Sequence, residues 1–167
     1  MKILVVASEA SPFVKTGGLG DVLGALPKEL TKLGNEVKLF LPFYQAVNLS
    51  KYQCQNFDWS VEVIINEKPS LAKVCYAEEK IIPLAYYFIR NDYFFDRPEL
   101  YKDNQTGKDY TDNDERFIFF SRAVLEAVKR LDWKPDIIHV HDWQAGLVSV
   151  YIKTIYENDP FFNDTKT

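Results

Sequence analysis

The sequence predicts an α/β fold: a doubly wound, mostly parallel sheet carrying a β-hairpin insertion. Three observations lead there. A short apolar run at residues 2–7 is followed by a helical repeat of leucines and a second apolar run at 36–41. The same strand-then-helix order returns at 136–140 and 143–156. Between them lie β-type segments whose spacers are too short for crossover helices.

Each element has local grounds. Lys2-Ile-Leu-Val-Val-Ala7 is continuously apolar, as a strand covered on both faces should be. Leu19, Val22, Leu23, Leu26, Leu30 and Leu33 recur at helical spacing. Pro27 is expected to kink or restart that helix, and Gly34 to cap its end. With Glu36-Val-Lys-Leu-Phe-Leu41 as the second strand, the start of the chain is a right-handed βαβ unit. Residues 57–65, 71–76 and 84–89 read as β segments, separated by turns at 66–69 and 77–80. Residues 91–110 form a long polar stretch, and loops of that length are usually functional or mobile. Asp112 or Asn113 can cap a helix with Phe117, Phe120, Val124, Val128 and Leu131 on one stripe. Asp136-Ile-Ile-His-Val140 is a short buried strand, and the helix after it should turn Leu147, Val150, Tyr151 and Ile155 inward. The chain ends beyond that helix, where such a sheet would receive another strand, so it reads as a partial sheet.

Composition narrows the function. The 167 residues suit one domain, and 47% hydrophobic with 15% aromatic content supports a packed core. A net charge of −4 without a dense Lys/Arg block argues against nucleic acid as a partner. No run approaches the roughly 18 apolar residues a membrane helix needs. The first strand begins at once, which leaves no room for a leader ahead of it. Cys54 and Cys75 lack CxxC spacing and read as free thiols of a reducing compartment. A cytoplasmic protein is expected.

Three constellations carry chemistry. In Lys15-Thr-Gly-Gly-Leu-Gly-Asp21 the glycines fall between a strand and a helix. Unpaired N–H groups of a helix start favour phosphate, and Lys15 adds positive charge. The lysine precedes the glycines, so this is not a Walker A loop, and GGxG is not the GxGxxG of dinucleotide-binding dehydrogenases. The other reading is a tight turn with no ligand. In His139-Val-His-Asp-Trp-Gln144 the two histidines share a strand face, and Asp142 falls at the carboxyl end, where open sheets bind ligands. Asp142 either caps a helix or binds a sugar hydroxyl, and the alternative for His139 is a satisfied core histidine. A metal site is disfavoured, since no further His or Cys completes a shell. In Asp96-Arg97-Pro98 to Tyr101, and again from Tyr110 to Phe117, rings alternate with carboxylates and amides. That pattern suits a carbohydrate face, or a solvated loop over buried rings.

Taken together, Ser8-Glu9-Ala10-Ser11-Pro12, Lys15-Thr-Gly-Gly-Leu-Gly-Asp-Val22, Asp96-Arg97-Pro98, Tyr110-Thr-Asp-Asn113 and His139-Val-His-Asp-Trp-Gln-Ala-Gly-Leu147 resemble the amino-terminal half of bacterial glycogen synthase and plant starch synthase. The resemblance spans nearly the whole chain, with residues 1–167 as one Rossmann-like domain. It implies a two-domain GT-B glucosyltransferase that extends α-1,4-glucan from ADP-glucose, or less often UDP-glucose, with retention of configuration. It implies no cofactor and no metal. The implied partners are the sugar-nucleotide donor, the α-1,4-glucan acceptor and a carboxyl-terminal domain that this sequence lacks. By the same resemblance Asp142 is the catalytic residue, and Lys15, Gly17, Gly18, Asp21, Tyr101 and His141 bind substrate. Without the second domain the chain is expected to be inactive alone. The alternative is a non-catalytic glucan-binding or regulatory module of the same fold.

Overall fold

A computed structural model describes residues 1–50, 52–79 and 81–167. Six strands form a single sheet in the order β3-β4-β5-β2-β1-β6. In chain order the elements are β1 (Lys2–Val6), α1 (Gly18–Lys32), β2 (Glu36–Pro42), β3 (Gln55–Ile65), β4 (Lys68–Glu78), β5 (Leu84–Arg90), α2 (Asp92–Phe95), α3 (Asn113–Arg130), β6 (Ile137–Val140) and α4 (Asp142–Lys153). Strands β5, β2, β1 and β6 are parallel neighbours, while β4 runs antiparallel to both β3 and β5. The predicted hairpin is therefore β3–β4, and β5 rejoins the parallel core. Its turn is tighter than the expected 66–69. Asn66 and Glu67 both take positive φ (49° and 63°), and Ile65 already pairs with Lys68. This is the two-residue geometry that follows the natural strand twist. Of the second expected turn, Lys80 lies outside the described residues.

The continuous apolar runs are explained by a core on both faces. Ile3, Val5, Val37, Leu39 and Leu41 pack on the side of α1, whose Leu23 joins them. Leu4, Val6, Phe40 and Ile138 pack on the side of α3 and α4. Because successive strand residues face opposite ways, every position of a doubly covered strand must be apolar.

Several side-chain expectations change. Helix α1 runs unbroken through Pro27, without a restart, and its buried face is Gly20, Leu23, Pro27 and Thr31. Val22 and Leu33 are exposed. Helical spacing defines a stripe but not which edge of it meets the sheet. Gly34 does close the helix, at φ 85°. Its N–H bonds to Thr31 and the Asn35 N–H to Leu30, the paired bonds of a Schellman end. In α4 the inward apolar residues are Ala145, Val148 and Ile152, while Val150 is exposed and Leu147 and Tyr151 only half-buried; Ile155, exposed, lies beyond the end of the helix. The backbone turn at Asp142 resets the phase of that helix relative to the strand. Beyond α4 the chain is anchored rather than loose. Phe162 and Thr165 are buried, and Lys166 pairs in parallel with Ile137 at the outer side of β6.

The stretch 91–110 is exposed over most of its length, above all at 104–109, yet it is pinned by a few buried residues. It opens with α2, capped by the Asn91 side chain, and buries Phe94, Phe95 and Leu100. Arg116, fully buried on α3, holds it. Its Nε donates to the Phe94 carbonyl at 2.7 Å and its Nη1 to the Leu100 carbonyl at 2.9 Å. The guanidinium lies over the rings of Tyr110, Phe117 and Phe95. Burial lowers its pKa.

Candidate active site at the carboxyl edge of the sheet

Strand β1 is followed by α1, which leads to β2 on one side, whereas β6 pairs on the other side of β1. The connections thus part company between β1 and β6, and such a switch point opens a crevice at the carboxyl ends. Val6 is in register with Val140, and the His141 N–H donates to the Val6 carbonyl at 3.0 Å. The glycine turn after β1 and Asp142 after β6 therefore leave the sheet side by side. The two constellations read separately from the sequence belong to one edge.

At the glycine turn the structure assigns the glycines different work. Gly17 (φ −152°) sits in extended backbone that any residue adopts, and neither it nor Gly18 has positive φ. A Cβ added at either would meet nothing within 4 Å. These two leave the main chain uncovered toward open space. Gly20 supplies the tight fit, since a Cβ there would stand 2.8 Å from that of Lys15. Two of the nearby amides are already engaged. The Thr16 N–H donates to Glu9 Oε2 at 2.5 Å, and the Gly17 N–H to the same oxygen at 3.3 Å. Gly18 and Leu19 begin α1, and their N–H groups have no partner among the described residues.

Lys15 does not stand free. Its Nζ donates to both oxygens of Asp21, at 2.6 and 2.7 Å. Both side chains are about half exposed (48% and 61%). A pair so wet contributes roughly 0–1 kcal/mol, so exchanging Asp21 for a phosphate oxygen costs little.

Tyr101 connects the long middle segment to this turn. Its hydroxyl lies 2.7 Å from Glu9 Oε1 and 2.8 Å from Ser8 Oγ. Its ring lies 6.4 Å from that of Trp143, the residue after Asp142. Burial raises the Tyr101 pKa, and the charges of Glu9 and Asp142 add to the rise. Lys15, Gly17, Gly18, Asp21 and Tyr101 thus gather about the end of β1, with His141 and Asp142 adjoining at the end of β6.

Asp142 is not a helix cap. It has φ 61°, and the N-cap position falls on His141, which makes no side-chain capping bond. Left-handed backbone is uncommon outside glycine, least so for Asp and Asn, and such outliers gather at functional sites. His139 and His141 do share a face, with ring centroids 4.3 Å apart, but His139 is exposed rather than a core residue. His141 is half-buried, its Nε2 has no partner among the described residues, and burial lowers its pKa. Among the described residues no three His, Cys, Asp or Glu side chains converge as for a metal ion. Asp112 stands at the N-cap of α3, yet its carboxylate accepts from Arg97 at 2.7 and 2.5 Å instead of capping.

Sequence reasoning missed the importance of Glu9 and Arg116. Glu9 lies inside a quoted motif piece and Arg116 within the Tyr110–Phe117 stretch, but nothing in local spacing marks one as the hub of the glycine turn or the other as the anchor of the middle segment. Their partners lie 16–92 positions away in the more distant contacts.

The fold and this edge define an open α/β domain whose candidate residues gather at its topological switch point, where such sheets bind ligands. The chain belongs to the starch synthase catalytic-domain family, whose family model, described as "Starch synthase catalytic domain", matches residues 2–167. It is 48% identical, over its full length, to a glycogen synthase of Elusimicrobium minutum, and 40% identical to one of Syntrophotalea carbinolica. It spans about a third (34%) of each of these relatives. Among solved structures it is similar to the catalytic domain of starch synthase IV from Arabidopsis thaliana bound to ADP and acarbose. There the TM-score is 0.86 at 30% identity, over 98% of this chain and 32% of that one. The mixed six-stranded sheet with its helices is thus shared with a GT-B starch synthase.

Proposed function

We propose that this chain forms the amino-terminal domain of a retaining glucosyltransferase that extends α-1,4-glucan from ADP-glucose. The carrying observation is the meeting, at one sheet edge, of the uncovered Gly17-Gly18 backbone with Asp142 and Tyr101. Family membership supplies the reaction class, and the ADP and acarbose held by the Arabidopsis protein support an adenine nucleotide donor and a glucan-like acceptor.

In this reading, negative charge grows on the diphosphate as the glucosyl bond breaks. The Gly18 and Leu19 amides at the start of α1 and the Lys15 ammonium stabilise it, with no metal required. Asp142, held by its left-handed backbone, orients the glucosyl group, beside Asp21, Tyr101 and His141. A second domain closes the cleft. A cytoplasmic location is part of this reading.

The test is incorporation of labelled glucose from ADP-glucose and UDP-glucose into glycogen. A protein of the relatives' full length carrying this chain should transfer glucose, and the 167 residues alone should not. Glucan binding without transfer by the full-length protein would instead identify a binding module.

A further inference from the structure

Glu9 is a buried acid beside a helix start proposed to receive an anion. It is 3% exposed and stands at the start of a helix whose amides are to receive a diphosphate. Its carboxylate is used on every side. One oxygen accepts the Thr16 and Gly17 amides, and the other accepts the Thr16 hydroxyl at 2.7 Å and the Tyr101 hydroxyl at 2.7 Å. Burial pushes its carboxyl pKa up, but the bonds from Thr16, Tyr101 and Gly17 outweigh this and leave it lowered.

We propose that Glu9 is the positioning residue of this cleft, locking the glycine turn to Tyr101 and leaving the Gly18 and Leu19 amides as the part open to a donor diphosphate. The inference deepens the transferase reading and rests on it for the identity of the ligand. By taking the first two amides, Glu9 fixes where the anion can approach. By taking Tyr101, it ties that place to the segment that Arg116 anchors. A disturbance of Tyr101 therefore reaches amides 85 positions earlier in the chain.

The network also predicts how substitutions differ. In Glu9→Gln, the amide oxygen can keep the Thr16 and Gly17 N–H groups while its NH2 donates to the two hydroxyls, which can reverse and accept. Glu9→Ala removes every acceptor, and Tyr101→Phe removes only the distant link. Residue-resolved hydrogen exchange on this chain should show Thr16 and Gly17 amides exchanging about tenfold faster in Glu9→Ala and about threefold faster in Tyr101→Phe, with Leu4 and Val5 of β1 unchanged. Glu9→Gln should stay near the parent. Parent-like exchange in Tyr101→Phe, or Gln as fast as Ala, would overturn the positioning role. In the full-length protein, kcat should fall about tenfold in Glu9→Ala and be largely restored in Glu9→Gln. Equal kcat in Glu9→Ala and parent would also overturn it. If the parent itself transfers no glucose, the transferase reading fails, while the exchange result still judges Glu9.

Discussion

Asp142 separates backbone need from charge need within one residue. Its φ of 61° suits Asp or Asn far better than a β-branched or bulky side chain. Asp142→Asn should therefore melt within about 0.5 kcal/mol of the parent while glucosyl transfer by the full-length protein is lost. Equal activity in the two would remove Asp142 from the chemistry. Gly20 presents the opposite case. An alanine Cβ would stand 2.8 Å from the Lys15 Cβ, so Gly20→Ala should cost roughly 1–3 kcal/mol in a denaturant melt. Gly18→Ala meets nothing within 4 Å and should leave stability nearly intact, while a methyl group now faces the diphosphate approach. Lys15→Ala loses only an exposed ion pair, so folding should be untouched and turnover lowered. Unchanged donor kinetics would exclude Lys15 from phosphate contact.

At the scale of an element, the segment 91–110 shows how a polar stretch becomes ordered. Its fixation comes from Arg116 beneath it and from Arg97 paired with Asp112. Arg116→Leu would leave two buried carbonyls without donors and should cost on the order of 3 kcal/mol, with proteolysis appearing first between 96 and 110. Acid should loosen the same region. The Arg97 bond holds the Asp112 carboxyl below its usual range, and the Glu9 carboxyl is lowered as well. A carboxyl with a lowered folded-state pKa stabilises the fold above its ordinary value of about 4, and that contribution vanishes as pH falls through the lowered one. The melting temperature should therefore drop below about pH 4, and less steeply in Glu9→Gln than in the parent.

For the whole molecule, the arrangement that matters is the parting of connections between β1 and β6. On the proposed transferase reading, a second domain completes the cleft at this edge, and this chain spans about a third of its relatives. On that reading, without the second domain a developing phosphate charge would stay in water, where fixed donors are worth little. This is the physical reason to expect transfer from the longer protein and none from this chain alone.

The sequence by itself determined the α/β class, the strand and helix order, the hairpin and the two motif-bearing turns, because period, glycine placement and continuous apolar runs are local signals. Asp142 and the glycine turn were legible for the same reason, as residues at strand ends. Only the tertiary structure decided the covered faces of α1 and α4, the anchoring of residues 91–110, and the partners of Glu9, Lys15 and Arg116. Helical spacing cannot say which edge of a stripe meets the sheet. Nor can spacing reveal bonds such as that of Tyr101 to Glu9 or of Arg116 to the Phe94 carbonyl, which join distant parts of the chain only once it has folded.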